Sequence, residues 1–461
     1  MIERAPALLP RTTFILGAGF SKAVSATMPI TDELGRHAIS SLSWADGGDI
    51  PAFSNEGITF ESWLTWLSER QPYLSEAEHL RDRARFAELS GALAAVLRTA
   101  QQPVTASGGP GWLAQFVDTA HWMQSDIVTL NYDTIIEETI RGGVRFDGDT
   151  AVLVDDVVTG IPNSRGVFQG KATGFVDRDT LRLHKLHGSV DWFSVPGDVT
   201  GMTLDRIEVD TATPSRAHQA MVGGREVFIV PPTSSKGGYF DNPRTRFVWQ
   251  QAREALVTAE RVVLAGYSLP LTDTALARLL TTTLATGVQE IVVVNPDGDG
   301  VRDRVRALGV DSSRIRVVDG MDGVERFVAA EIAALSAALA KGLHREASEN
   351  PTRPVAVGWH DRWGAVTDVH RDSDGSITLT IDDATRPLNF VRHPEATDPA
   401  PDWSRPTVTL GEVVGDTAPE RLVVRWGERI WPIAARMLPS YPFDEDWVLL
   451  RPAGAHPNPH A

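Results

Sequence analysis

The 461-residue chain contains no cysteine. This absence excludes disulfide bonds, a cysteine nucleophile, iron–sulfur clusters and any zinc site built on thiolates. The chain also lacks an apolar run of the roughly 20 residues that a membrane-spanning helix needs. The opening stretch, MIERAPALLPRT, has an early glutamate and no long apolar core, so it does not predict a secretory signal. We therefore expect a cytoplasmic protein.

Positive charge is scarce as well. The chain has 44 Lys and Arg residues against 60 Asp and Glu residues, which gives a net charge of −16. A general electrostatic attraction to DNA, RNA or an anionic membrane is unfavourable at this charge, and no run of Lys or Arg indicates a local basic patch. We expect no direct binding to nucleic acids or membranes. Hydrophobic residues make up 42% of the chain, enough for the cores of two or three domains.

Most of the chain alternates between short apolar runs and helical patterns. The first apolar run covers residues 12–17, and later ones begin near Asp126, Thr180, Glu226, Arg261, Glu290 and Arg314. Helical patterns at about 31–41, 59–69, 75–100 and 110–122 separate the first run from the second. The pattern predicts an α/β fold, a Rossmann-like open and mostly parallel sheet, with a helical insertion at about 35–122.

The texture changes after the polar, proline-marked stretch HREASENPTRP at 344–354. Beyond it, short β-prone runs flank an SDG hairpin signal and predict a small C-terminal β-rich domain. We predict an α/β domain at 1–345, a linker at 346–355, the β-rich domain at 356–453 and a disordered tail at 454–461.

The run TFILGAGFS places Gly17 and Gly19 directly after the first apolar segment. A strand that turns sharply into a helix leaves N–H groups unpaired at the positive end of the helix dipole, which suits a phosphate. We expect the glycines to let the backbone approach such a ligand, so that a side chain at Gly19 would occupy the ligand's space. The common dinucleotide fingerprint has a third glycine where this chain has Lys22, and an ordinary glycine-rich turn explains the run equally well.

Polar residues follow four further predicted strands: Asn131, His187, Ser268 and Asn295. Because ligands bind beyond the carboxyl ends of parallel strands, we expect these residues and Gly17 to meet at one crevice. Taken singly, Asn131 is also explained as a turn residue or helix cap, and His187 as a structural histidine at a strand end. We interpret His184 as structural rather than as half of a metal-binding pair.

Five short motifs occur in order along the chain: Gly-Ala-Gly-Phe-Ser at 17–21, Thr-Leu-Asn-Tyr-Asp at 129–133, Leu-His-Gly-Ser at 186–189, Gly-Tyr-Ser-Leu at 266–269 and Val-Val-Asn-Pro at 293–296. The set resembles the sirtuin family, and more closely its bacterial branch of SIR2-like NAD-cleaving domains found in anti-phage defence. The resemblance covers about residues 10–340.

The resemblance implies a role for each matching residue. Asn131 matches the catalytic residue that holds the nicotinamide ribose and the attacking water, and His187 matches the catalytic base. The implied cofactor-binding positions are Gly17, Ala18, Gly19, Phe20, Ser21, Pro29, Thr31, Asp133, Gly266, Ser268 and Asn295. These residue types suit the chemistry, because a carboxamide carries both a donor and an acceptor and a histidine takes up a proton at neutral pH.

Protein-deacylating sirtuins carry a module with four zinc-binding cysteines after the catalytic histidine, and residues 188–230 contain none. We therefore expect no zinc, with NAD⁺ bound as a substrate. The resemblance implies an NAD⁺ glycohydrolase that releases nicotinamide and ADP-ribose and depletes cellular NAD in abortive infection. Two alternatives stay open: a zinc-free protein deacylase or ADP-ribosyltransferase, and a non-catalytic protein that senses NAD or ADP-ribose.

An enzyme that depletes NAD must stay silent until it is triggered. The C-terminal β-rich domain is therefore a candidate sensor or partner-binding module. The resemblance implies a homo-oligomer, or a second defence protein of the ATPase or Argonaute type, as the partner, and the sequence does not choose between them.

Overall fold

A computed structural model of the chain describes residues 9–44, 50, 53, 57–142, 146–147, 150–163, 180–196, 198, 200–207, 222–231, 237–270, 273–284 and 287–334, and seven strands beyond residue 354. The chain divides into two compact units. The first, which we call the α/β unit, comprises residues 11–143 and 152–327. The second, the C-terminal unit, comprises residues 1–10, 144–151 and 328–461.

Strands and helices alternate along the first part of the chain. The strands before residue 320 are β1 (Thr12–Leu16), β2 (Asp126–Thr129), β3 (Phe146–Asp147), β4 (Thr150–Ala151), β5 (Arg182–Lys185), β6 (Gly188–Ser194), β7 (Asp205–Arg206), β8 (Glu226–Ile229), β9 (Arg261–Ala265), β10 (Glu290–Val294) and β11 (Ile315–Val318). The helices are α1 (Ala18–Val24), α2 (Thr31–Ser40), α3 (Phe60–Ser68), α4 (Glu76–Ser107), α5 (Gly111–Trp122), α6 (Ile135–Arg141), α7 (Val154–Val157), α8 (Gly237–Phe240), α9 (Pro243–Thr258), α10 (Thr274–Leu284) and α11 (Gly298–Ala307).

Six strands of the α/β unit form one parallel sheet in the order β11-β10-β9-β1-β2-β5. Its central strand is β1, where Ile15 pairs with Val128 on one side and with Leu264 on the other. All five residues of β1 and of β9 are buried. Strands buried on both faces read as continuous apolar runs, which is why these segments were visible in the sequence.

The predicted helical insertion consists of α2, α3, α4 and α5, and the first three pack against one another. Helix α4 is 32 residues long and begins at a capping box. In this box the Ser75 hydroxyl accepts from the Glu78 N–H, and the Glu78 carboxylate accepts from the Ser75 N–H at 2.8 Å. Such reciprocal bonds satisfy donors that a helix start otherwise leaves unpaired.

A second sheet of the α/β unit has the order β7-β6-β8 and is antiparallel. In this sheet the structure differs from two expectations drawn from the sequence. The run around 180–193 is divided between β5 of the parallel sheet and β6 of the antiparallel sheet, with Leu186 and His187 between them. The run at 226–229, predicted among the parallel strands, pairs with β6 instead.

The C-terminal unit contains a closed barrel of seven strands. They are β12 (Val355–Trp359), β13 (Arg362–Arg371), β14 (Ile377–Asp382), β15 (Thr407–Leu410), β16 (Glu420–Trp426), β17 (Arg429–Arg436) and β18 (Trp447–Pro452). Their order around the barrel is β12-β13-β14-β15-β17-β16-β18, and every neighbouring pair is antiparallel except β16 with β18. This unit also contains the two-stranded antiparallel pair β3 and β4.

The predicted fold class is confirmed: an open parallel sheet with helices, a helical insertion and a C-terminal β-rich region. The division between units falls after residue 327, whereas the predicted boundary lies at 345. Most of the predicted linker and the whole predicted tail lie outside the described residues. None of the helices in the described part of the chain combines the length and apolar character needed to cross a bilayer.

Candidate functional site

The carboxyl ends of β5, β2, β1, β9 and β10 lie along one edge of the parallel sheet. From β1 the chain continues to β2 and β5 on one side and later returns to β9 on the other. Connections that diverge in this way open a crevice between neighbouring strands, and open α/β sheets bind ligands there. The five predicted turns follow these strands, so the ends of β1 and β9 mark the candidate site.

Three glycines bring the ends of β1 and β9 into direct backbone contact. A Cβ atom on Gly19 would lie 2.8 Å from the carbonyl oxygen of Gly266, and one on Gly17 would lie 2.6 Å from the α-carbon of Tyr267. Gly266 has a φ of +62°, and a Cβ there would lie 2.0 Å from the nitrogen of Phe20. Because backbone atoms cannot move aside cheaply, all three positions require glycine.

This packing gives Gly19 a structural reason of its own. A side chain at Gly19 would meet the backbone of Gly266, and the predicted ligand contact of Gly19 stays a prediction. The Gly19 N–H donates to the Gly266 carbonyl at 2.9 Å, and the Phe20 N–H donates to the Gly17 carbonyl at 2.9 Å. Two of the N–H groups expected to face a phosphate are thus bonded within the protein. The glycines join two strand ends, and the turn offers fewer free donors than its sequence predicts.

Asn131 ties the turn after β2 to the glycine turn after β1. Its side-chain Nδ2 donates to the Gly17 carbonyl and to the Ser21 hydroxyl, each at 2.9 Å. Its own backbone N–H donates to the Thr129 hydroxyl at 3.1 Å. The Gly17 carbonyl can only accept, so the NH₂ side of the carboxamide must face it.

These contacts fix which atom of Asn131 is available to a ligand. An amide NH₂ has two hydrogens, and both are directed at partners in the protein. The Oδ1 atom accepts no hydrogen bond from the described residues. The sequence predicts that Asn131 acts as donor and acceptor together, whereas the structure leaves it as an acceptor.

Ser21 and Asp133 continue the network beneath Asn131. The buried Ser21 hydroxyl donates to Asp133 Oδ2 at 2.6 Å, and Asp133 Oδ1 accepts from the Ile135 N–H at 3.2 Å at the start of α6. Burial raises the pKa of Asp133, and the nearby positive charge of Lys185 opposes the rise. The structure therefore places both residues behind Asn131, where they orient it.

His187 lies in the turn between the two sheets and is 6% exposed. Its ring centroid is 6.5 Å from that of Tyr132 and 6.4 Å from that of Trp249. The His187 carbonyl accepts from the Val230 N–H at 2.7 Å, and the Leu186 carbonyl accepts from Trp249 Nε1 at 3.2 Å. The sequence predicts an imidazole at a cleft, and the structure shows a largely buried one with two aromatic rings nearby.

A buried ion pair supports the turn after β2. Lys185 Nζ lies 2.8 Å from Glu137 Oε1, and both side chains are 1% exposed. The same ammonium donates to the backbone carbonyl of Asp133. Asp191, on β6, is buried nearby, and burial raises its pKa to about 6 against the opposing charge of Lys185 and with the help of Glu137.

Phe20 belongs to the core. It is 2% exposed, and its ring packs against Trp112 and Phe116 with centroid distances of 5.7 and 5.1 Å. The predicted cofactor contact of Phe20 stays a prediction, and in this structure its side chain packs in the core. Ala18, two residues earlier, is half-buried in the first turn of α1.

The other predicted cofactor-binding residues are spread along the crevice edge. Ser268 is exposed, whereas Asn295 is engaged: its Nδ2 donates to the Tyr267 carbonyl at 3.4 Å and its Oδ1 accepts from the Asp297 N–H at 2.9 Å. Pro29 is buried, and Thr31 is exposed at the first position of α2. No described contact joins these two residues to Asn131 or His187.

The sequence did not indicate Lys185, Glu137 or Asp191. One signal was available, because Lys185 closes the buried run RLHK at a position where a charged side chain is unusual. His184, in the same strand, bonds Asp126 through Nε2 at 2.8 Å and is 1% exposed. Its predicted structural role agrees with this contact. No group of three or more potential metal-binding side chains occurs among the described residues.

Comparison with known proteins gives structural similarities only. No protein-family model matches the chain. No curated protein matches it either. Similar solved structures include one named "Crystal structure of a Sir2 homolog–NAD complex", with a TM-score of 0.35 and 14% identity over 71% of this chain and 92% of that one. Another, named "Structural Basis for the Mechanism and Regulation of Sir2 Enzymes", has a TM-score of 0.32 and 11% identity over 70% and 92%. Similarity this weak leaves the question of activity to the residues of the site.

Gly266→Ala should destabilise the fold by at least about 2 kcal/mol, because the new Cβ meets a backbone nitrogen in a strained conformation. Gly309→Ala is the matched control, since Gly309 has a φ of +91° with no atom within 4 Å of its Cβ position. Urea unfolding of both variants separates backbone strain from close approach. Equal losses of stability in the two variants would show that the close approach of the backbones after β1 and β9 adds nothing to the cost of the positive φ.

Asp191→Asn should change how stability depends on pH. The folded-state pKa of about 6 lies above the ordinary value near 3.8, so the folded state binds the extra proton between these values. The contribution of Asp191 to the free energy of unfolding therefore falls as pH rises from about 4 to 6. The asparagine variant should gain up to about 3 kcal/mol on wild type between pH 4 and 7, at about 1.4 kcal/mol per unit of pKa shift.

Urea titrations at several pH values measure this difference, with Asp241→Asn, at an exposed position, as the control. A constant difference between wild type and Asp191→Asn across this range would contradict the assignment.

Proposed function

We propose that the α/β unit is a SIR2-like NAD⁺ glycohydrolase. The observation that carries the proposal is the network of Asn131, Ser21 and Asp133, which joins the turns after β1 and β2 at the carboxyl edge of the sheet, beside the crevice between β1 and β9. His187 stands in the turn after the neighbouring strand β5, within ring contact of Tyr132. An acceptor amide beside the crevice suits the positioning of a reactant, and a largely buried imidazole in the turn after β5 suits proton transfer.

The reaction has few requirements. Water adds to C1′ of the nicotinamide ribose, the bond to the nicotinamide nitrogen breaks, and nicotinamide, ADP-ribose and one proton are released. Nicotinamide leaves as a neutral molecule from a positively charged precursor, so the protein mainly has to position the reactants and accept the proton. Asn131 Oδ1 would accept from a ribose hydroxyl or from the water, and His187 would take up the proton.

We further propose that this activity depletes cellular NAD in anti-phage defence, and that the barrel of the C-terminal unit receives the trigger. The support for this is the motif set stated from the sequence. A homo-oligomer or a second defence protein of the ATPase or Argonaute type would be the partner. The test is the NAD content of phage-infected cells that carry wild type or a His187 variant, since the proposal requires a fall only in the former.

Asn131→Ala and His187→Ala should each lower nicotinamide release by about 10² or more, because positioning and proton transfer have effects of that size. His37→Ala, at an exposed position in α2, is the matched control and should keep wild-type activity. Chromatography of nicotinamide and ADP-ribose from NAD⁺ measures the rate, under conditions in which wild type is active.

Both target residues are more buried than the sequence predicts, so thermal unfolding must first show that the variants are folded at the assay temperature. A folded His187→Ala variant with near-normal turnover would overturn the proposed role of the imidazole. Binding of NAD⁺ without release of nicotinamide by wild type would favour a non-catalytic sensor. Modified protein or O-acyl-ADP-ribose would favour the transferase or deacylase.

A further inference from the structure

Residues 98–101, a single helical turn of α4 in the insertion, contact three segments of the α/β unit near the candidate site. The Arg98 guanidinium donates to the Val190 carbonyl on β6. The Ala100 carbonyl accepts from the Thr27 hydroxyl at 3.0 Å, in the segment between α1 and α2. Gln101 reaches the turn after β2. One stretch of helix therefore meets the segments that follow β1, β2 and β5.

The contact of Gln101 with Thr134 is reciprocal and buried. Gln101 Nε2 donates to the Thr134 hydroxyl at 2.9 Å, and the Thr134 N–H donates to Gln101 Oε1 at 3.1 Å. Gln101 is 8% exposed and Thr134 is 3% exposed. Thr134 is the N-cap residue of α6, and its own side chain makes no capping hydrogen bond to that helix. The Gln101 carboxamide thus satisfies a backbone donor that burial would otherwise leave unpaired.

The contact of Gln101 and the network of Asn131 hold the two ends of the same turn, residues 131–134. Residues 131–134 are bonded to Ser21 and Gly17 at one end and to Gln101 at the other. A turn tied at both ends has little freedom to rotate the carboxamide of Asn131. The position of Oδ1, the atom left for a ligand, is then set partly by a helix outside the parallel sheet.

Arg98 also connects α4 to the turn that contains Asn131, through Val190 on β6. Its guanidinium carbon lies 5.5 Å from the centroid of the Phe193 ring. Val190, whose carbonyl accepts from Arg98, also donates its own N–H to the Tyr132 carbonyl at 2.9 Å. The path from α4 through β6 therefore ends beside Asn131 as well.

We propose that Gln101 is a positioning residue for Asn131, and that residues 98–101 of α4 are the contact through which the inserted helices set the activity of the site. The expected change in rate rests on the proposed NAD⁺ cleavage, whereas the effect of Gln101 on the turn at 131–134 does not. A shift of α4 along its axis would break both bonds to Thr134 together and so lower the rate without touching the substrate.

The test compares Gln101→Met with Gln102→Met in the full-length protein. Methionine has nearly the shape of glutamine and cannot replace its hydrogen bonds to Thr134. Gln102 is the adjacent exposed residue of the same helix, which makes the same substitution a matched control. Hydrogen exchange of the peptide that covers residues 129–136 reads the turn directly, without any need for catalysis.

We expect Gln101→Met to speed exchange in that peptide about tenfold, as loss of a buried hydrogen bond does, and Gln102→Met to leave it unchanged. We also expect Gln101→Met to lower kcat for nicotinamide release about tenfold with little change in the dissociation constant for NAD⁺. In an Asn131→Ala background the Gln101 substitution should have no further effect on the residual rate. A merely structural role would lower the rate equally in both backgrounds.

Unchanged exchange at 129–136 in Gln101→Met overturns the inference whatever the rate does. Equal kcat in Gln101→Met and Gln102→Met, or additive losses with Asn131→Ala, overturn it too. If wild type releases no nicotinamide under any condition, the proposed function is wrong, but the inference about Gln101 is not thereby overturned. The exchange result then still decides whether Gln101 positions the turn.

Discussion

The backbone contact between the glycine turn after β1 and Gly266 after β9 is the constraint on which the candidate site depends. Because neither side carries a Cβ, the two strand ends lie close enough for the Gly19 N–H to bond the Gly266 carbonyl. The same turn directs the Gly17 carbonyl at Asn131, and that acceptor decides which side of the carboxamide remains open. A bulkier residue at any of these positions would move the turn, and the polar network would move with it.

Sequence patterns predicted the sheet and located the turns, because buried parallel strands give continuous apolar runs and their polar ends stand out. They could not predict how glycine would be used. A glycine that admits a ligand and one that admits a neighbouring backbone look the same in a sequence, and the contact of Gly19 with the Gly266 backbone could not be predicted from it. They also could not predict that the run at 180–193 is divided between two sheets, since Leu181, Leu183 and Leu186 spread apolar residues through the whole first half of the run. The contact of Gln101 with Thr134 joins residues 33 positions apart, and no local pattern records such a pair.

The region behind the site is unusually rich in buried charge. Arg98, Glu137, Lys185 and Asp191 come from four different elements and influence one another. Buried ion pairs are weak evidence for stability, because removing both charges from water costs about as much as their attraction returns. Their position suggests another use: Lys185 holds the carbonyl of Asp133, and Arg98 holds that of Val190. One of these carbonyls belongs to the turn that contains Asn131, and the other belongs to β6, the strand that follows His187.

The closure of the C-terminal barrel restricts how that unit can engage another protein. Each of its seven described strands has a neighbour on both sides, so no strand of the ring is a free edge over its whole length. A partner that binds by β-augmentation, the addition of its own strand to a sheet edge, would therefore need a place where two neighbouring strands are paired over only part of their length. The narrowest seam is between β15 and β17, which share only two register pairs, Thr409 with Arg436 and Leu410 with Ala435. Recognition elsewhere on the barrel would rely on side chains and loops, whereas an added strand would meet the least paired backbone at that seam.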